Sequence, residues 1–161
     1  MTPAPDDPVT RLEVHDLLHR YADAVCRKAS PEVAALFTGD GVWKVGGYGE
    51  PTGPAEITAF LDGLLEQWDT IVHALLSYRV HLDASDPDRA TGRCYISEFG
   101  RRTDGTEVLF AGVYHDEYRR EAGEWRFARR RYDSMFRRVG DDLSTSPFPP
   151  DASNLPGPAS A

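Results

Sequence analysis

From Thr10 onward the apolar residues Val14, Leu17, Leu18, Tyr21 and Val25 recur three and four positions apart, the period of a helix that buries one face. Thr10 followed by Glu13 has the form of a capping box, so the pattern predicts a helix from residue 10 to about residue 28. Ser30-Pro31-Glu32 starts a second, short helix through Phe37, and Thr38-Gly39-Asp40-Gly41 then turns the chain into a brief strand, Val42–Val45. A third helix opens at Gly53-Pro54, with Ile57, Phe60, Leu61, Leu64, Leu65 and Trp68 on one stripe. Beyond residue 70 the period changes. Ile71–Leu82, Ala90–Arg101, Glu107–Arg120 and Trp125–Arg138 are rich in β-branched and aromatic residues and are separated by Asp-, Gly- and Ser-containing turns. Helices first and a strand meander afterwards predict an α+β fold: one curved antiparallel sheet with helices on a single face.

Composition narrows the class. A chain of 161 residues that is 40% hydrophobic and 27% charged fits one globular domain. That domain is expected over 9–138, between a loose N-terminus (1–8) and a Pro- and Ser-rich flexible tail (139–161) in which Phe148 is the one candidate to dock. A formal charge of −8 disfavours nucleic acid and anionic membranes as partners. No stretch approaches the ~20 apolar residues of a membrane span. The N-terminus lacks the basic and apolar regions of a secretory signal, which leads to a cytoplasmic expectation. Two cysteines, Cys26 and Cys94, make no disulfide framework and have no metal-type spacing. His15 and His19 lack a third ligand, so neither a metal nor a cofactor is expected.

Several segments, taken in order, carry a resemblance. They are the helix end Arg20-Tyr21-Ala22-Asp23-Ala24-Val25-Cys26, then Phe37-Thr38-Gly39-Asp40-Gly41-Val42-Trp43, a strand bearing His73, Gly112-Val113-Tyr114-His115-Asp116-Glu117-Tyr118, and Gly123-Glu124-Trp125-Arg126-Phe127. Over about residues 9–138 the chain resembles the SnoaL-like branch of the nuclear-transport-factor-2-like superfamily. Its members include polyketide cyclases, scytalone dehydratase, bile-acid 7α-dehydratase and hexachlorocyclohexane dehydrochlorinase. The resemblance implies a cone-shaped α+β barrel with a deep pocket, homo-oligomers (dimers or trimers) formed through the sheet, and cofactor-independent chemistry. That chemistry is lyase or isomerase work on a hydrophobic cyclic small molecule, such as an intermediate of natural-product metabolism. Cyclase or hydrolase activity, or ligand binding without turnover, are the alternatives on a fold that hosts many functions.

The lyases of this family use a pocket His–Asp pair, the imidazole removing a proton from carbon and the carboxylate fixing its tautomer. By that resemblance the base is His73 and Tyr21 is a hydrogen-bond donor to substrate, but the expected aspartate is Cys26, a weak acceptor that cannot balance an imidazolium. Asp23, on nearly the same helix face, and Glu98 are the available substitutes. Arg130 matches a last-strand arginine that would stabilise a leaving anion, although Arg129 and Arg131 leave the inward register open. Strand alternation puts Tyr95 and Glu98 on opposite faces, so only one enters a cavity unless a bulge intervenes. Cys26, Trp43, Tyr48, Phe60, Trp68, Tyr95 and Phe110 are the candidate substrate-lining residues.

Overall fold

The computed structural model describes residues 7–149. Helix α1 (Pro8–Cys26) begins two residues before the position expected from the sequence. Its cap is Asp7, whose carboxylate accepts from the amides of Val9 and Thr10 and from the Thr10 hydroxyl, with Pro8 in the first turn. Asp before Pro satisfies both preferences of a helix start, so Thr10–Glu13 is not a capping box. Glu13 reaches across instead to accept from Arg120 and the Trp125 indole. The second helix, α2 (Ser30–Ala34), stops three residues short of Phe37. Phe37 already belongs to β1 (Phe37–Val45), in which the 38–41 stretch is an irregularity within the strand rather than a turn before it. In α3 (Gly53–Leu65) Ile57, Leu61 and Leu65 are buried; Trp68 lies beyond it and opens β2 (Trp68–Leu82).

The meander continues with β3 (Arg89–Arg102), β4 (Glu107–Glu121) and β5 (Glu124–Val139), and a short β6 (Asp142–Thr145) folds back on β5. β6 thus lies inside the stretch expected to be a tail, and Phe148 beyond it rests against His115 and Arg93; residues 150–161 lie outside the described residues. The sheet order is β1-β5-β4-β3-β2, curved and unclosed. It is mixed rather than wholly antiparallel, because β1 pairs with β5 in parallel. A parallel pair requires a long crossover, and the α3–β2–β3–β4 excursion between β1 and β5 supplies it.

Curvature comes from bulges, each of which inserts one residue and reverses which residues face inward. On β2 the register shifts at Asp69 and again at Leu76; on β5 it shifts at Ala128 and Met135. Phe127 and Arg130, three apart on one strand, are therefore both fully buried under α1. The backbone also permits this only where side chains are missing. A Cβ on Gly112 would sit 2.4 Å from the Asp133 carbonyl oxygen and 2.7 Å from the Tyr132 hydroxyl. Glycine at that position lets the Tyr132 ring lie across β4.

Candidate active site

A chamber of about 300 Å³ opens between the concave face of the sheet, the end of α1 and helix α3. This is the lower end of the range for small-molecule sites. Its wall is mostly apolar and aromatic: Val25, Trp43, Leu61, Trp68, Ile71 and Phe110 contribute, with Tyr48 at the rim. Polar side chains interrupt it: Glu98, Tyr21, Tyr114 and Tyr132, and also Gln67, Ser134, Arg102 and Arg137.

Glu98 enters because β3 keeps strict alternation, burying Cys94 and Ile96 and turning Tyr95 to the outer face. Across the β2–β3 ladder it stands opposite His73, and its Oε2 lies 2.8 Å from the imidazole Nδ1. The imidazole side chain has no exposed surface, whereas 21% of the Glu98 side chain remains accessible. The order is thus chamber, carboxylate, imidazole. In the neutral ring, Nδ1–H donating to Glu98 leaves Nε2 as an acceptor, and that buried atom has no hydrogen-bond partner. The ring centroid is 5.5 Å from that of Tyr21 and 6.1 Å from that of Tyr114, two residues of the chamber wall.

The other expected partners do not meet His73. Asp23 is on the outer face of α1, its side chain 65% exposed and ion-paired with Arg27, because α1 turns its Tyr21–Ala24–Val25 face to the core. Cys26 is at the helix end, where its thiol accepts from the backbone amide of His73 at 3.1 Å and not from its ring. It lies outside the chamber wall, as do Tyr95 and Phe60. Phe60 packs edge-on behind Trp43, their centroids 5.6 Å apart. Trp43, Tyr48, Trp68 and Phe110 do line the chamber.

Arg130 is the arginine that turns inward, since the bulge at Ala128 moves Arg129 out and Arg130 in. It stops beneath the chamber rather than in it. Its guanidinium carbon sits 3.8, 4.1 and 4.3 Å from the ring centroids of Tyr114, Tyr21 and Phe127. Nε lies 3.1 Å from Asp116 Oδ1, an ion pair between two side chains with no exposed surface, and none of the guanidinium nitrogens makes a directional hydrogen bond. The rings take their place, offering negative π faces to a cation that water cannot reach. Burial pushes the Asp116 carboxyl up to about 6, against the pull of Arg130 and of the Tyr118 hydroxyl that donates to it. Burial also raises Tyr21 to about 12 and Tyr114 well above its usual value, and the Arg130 charge opposes both shifts. Both tyrosines are therefore neutral donors at neutral pH, their hydroxyls 3.5 Å apart.

Sequence reasoning missed Tyr114, Tyr132, Ser134, Arg102 and Arg137 as wall residues. For the three on β5 no signal was available, because the bulges at Ala128 and Met135 set their direction. Tyr114 and Arg102 follow from alternation once one neighbour on each strand is known to face inward.

A curved sheet folded over N-terminal helices, with one acidic–imidazole pair in an aromatic chamber, defines a pocketed α+β protein of the cone-shaped kind. Residues 9–131 match the family model of the SnoaL-like domain, and the chain belongs to that family, within the nuclear-transport-factor-2-like superfamily. The chain is 26% identical over 124 residues to the gamma-hexachlorocyclohexane dehydrochlorinase of Sphingobium indicum, a span covering 75% of this chain and 78% of that one. The crystal structure of LinA superposes with a TM-score of 0.75 at 22% identity, covering 86% of this chain and 95% of LinA. A candidate scytalone dehydratase from Novosphingobium aromaticivorans gives a TM-score of 0.75 at 19% identity over 89% of this chain and 94% of its own. The fold is thus one shared with lyase- and isomerase-type relatives.

Proposed function

We propose that the chain is a cofactor-independent enzyme of the lyase or isomerase type, moving a proton on a hydrophobic cyclic small molecule held in the chamber. The observation that carries this reading is the 2.8 Å pairing of His73 with Glu98, whose carboxylate reaches a mostly apolar and aromatic wall. The pairing supplies the acid that the Cys26 position lacks, and from the opposite strand. In a dehydration, the Glu98 carboxylate, held by His73 Nδ1–H, takes the proton from carbon. The C–H electrons form the new double bond, and the adjacent C–O bond breaks with its electrons leaving on oxygen as hydroxide, which takes the proton from Glu98 to depart as water. Tyr21, neutral and hydrogen-bond capable, meets that oxygen. Arg130 touches no substrate; behind Tyr21 and Tyr114 it strengthens their donation by favouring negative charge on their oxygens. A chamber poor in water strengthens each of these interactions.

The test is turnover of cyclic β-hydroxy ketones, read as the absorbance of the conjugated product. Glu98→Gln and His73→Ala should each lower kcat/KM by at least about a hundredfold, the range of general acid–base catalysis, while the far-UV spectrum is unchanged. Equal rates in the variants remove the reading. Ligand binding without chemistry is the second reading, and the Cys26 thiol resting on the His73 backbone favours it. It prevails if only Cys26→Asp confers turnover while ligand affinity is equal in both proteins.

A further inference from the structure

One cation on the chamber wall has no role in the proton transfer. Arg102 ends β3 directly opposite Trp68, and it lines the chamber. Its guanidinium Nε is buried without a hydrogen-bond partner, a costly arrangement for a charged donor. The Trp43 indole Nε1, also on the wall, is a second buried donor without a partner. A second guanidinium lines the chamber in the Glu98 row. Arg137 sits opposite Phe110 on the β4–β5 ladder, and Phe110 in turn sits opposite Glu98. Arg137 spends one nitrogen on the exposed Asp142, 2.8 Å away, and also lines the chamber.

The negative groups are arranged unevenly against these. Glu98 is bonded to His73, Asp142 is outside on β6, and Asp104 acts on Arg102 only through the field. Arg102 lies four residues along the strand from Glu98, ~13 Å between backbones at strand rise. Between them the Trp68 and Phe110 rings meet edge-on, centroids 6.2 Å apart, as a surface for a flat ring. Glu98 with His73 thus stands at one end of the chamber and Arg102 at the other, with the aromatic pair between, while Arg137 shares the Glu98 row two strands away.

We infer that the chamber takes an aromatic or alicyclic carboxylic acid, its ring on Trp68 and Phe110 and its carboxylate held by Arg102. The inference rests on the chamber being the substrate site, not on the chemistry assigned there. A planar guanidinium fork suits a carboxylate, and such charge-assisted bonds are about twice as strong as neutral ones. The ligand also provides the acceptor that Arg102 lacks.

The experiment is calorimetric titration of the full chain at neutral pH with 2-naphthoate and with 2-naphthalenemethanol, two probes of equal ring size differing in charge. The acid should bind at least about tenfold more tightly, a difference of ~1.4 kcal/mol. Arg102→Met should reduce that preference to about threefold or less, and Arg102→Lys should retain part of it. Far-UV spectra and melting curves of both variants establish that they are folded, and an unfolded Arg102→Met hands the decision to Arg102→Lys and to the salt dependence of the wild type. Equal or tighter binding of the alcohol overturns the inference, as does failure of both probes to bind or a preference indifferent to Arg102 and to salt. Because the readout is binding, the two readings fail separately. A chamber that holds the acid but processes no hydroxy ketone removes only the proton-transfer reading, and one that processes a neutral substrate while ignoring the acid removes only this one.

Discussion

Arg130 is the residue on which the interior depends most. It is fully buried, paired with Asp116 and enclosed by three rings, so removing it strands a carboxylate in a medium that cannot solvate it. Arg130→Met nearly preserves volume and should cost about 3–5 kcal/mol at pH 8, the usual penalty for breaking a buried pair. The cost should shrink in acid. Arg130 is a lowering influence on Asp116, whose carboxyl is nonetheless raised to about 6; without it the folded-state value moves higher still. A carboxyl raised on folding stabilises the fold fully below its unfolded value, and that contribution is lost as pH rises through the folded value. Urea midpoints of the variant should therefore fall between pH 6 and pH 8, where the wild-type Asp116 has largely completed its change. A variant whose deficit is the same at pH 5 and pH 8 would show that Asp116 does not report on Arg130.

At the scale of elements, helices and strands were legible in the sequence and their directions were not. The apolar period of α1, the strand composition of β2 through β5 and the Gly- and Asp-containing turns placed every large element within a few residues. His73 and Glu98 follow from the family resemblance, and the structure sets them side by side. Trp43 and Phe110 follow as aromatic wall candidates, and Trp68, read on the α3 stripe, instead opens β2 ahead of its first bulge. Asp23 and Cys26 follow from helix spacing and the family pattern, which do not say how the end of α1 is rotated over the sheet. Alternation, by contrast, rightly puts Tyr95 and Glu98 on opposite faces without saying which face is covered. Arg130 could not be separated from its two neighbours, since a bulge is a property of two strands in register and a single strand's sequence does not record it. Gly112 offers the corresponding test. Gly112→Val places a branched side chain against the Asp133 carbonyl and the Tyr132 ring, with overpacking worth about 1–3 kcal/mol. The expected result is a lower melting temperature together with reduced ligand affinity, because Tyr132 is displaced from the chamber wall. Wild-type stability would mean that β4 and β5 slide apart at no cost.

For the molecule as a whole, the inner face of the sheet is covered by helices and the outer face is not. Val72, Leu76 and Phe99 are exposed on β2 and β3 at 36%, 63% and 44%. Association of copies through the sheet, as the family resemblance led one to expect, would cover them. Sedimentation should give a dimer or trimer at micromolar concentration, and Phe99→Glu with Leu76→Glu should shift it toward monomer. A monomer in the wild type would assign these side chains to ordinary surface. Among the described residues no helix is long and apolar enough to cross a membrane.

The guanidinium sealed under Tyr21 and Tyr114 has one more effect, because counter-ions cannot approach it. Beneath the cavity floor lies the Arg130–Asp116 pair, in which Arg130 dominates at Tyr21, and dissolved electrolyte does not damp its field, whereas the partly exposed Arg137 is open to it. Oxygen-rich groups docking at the floor should keep their affinity in strong brine, and those gripped by Arg137 should let go.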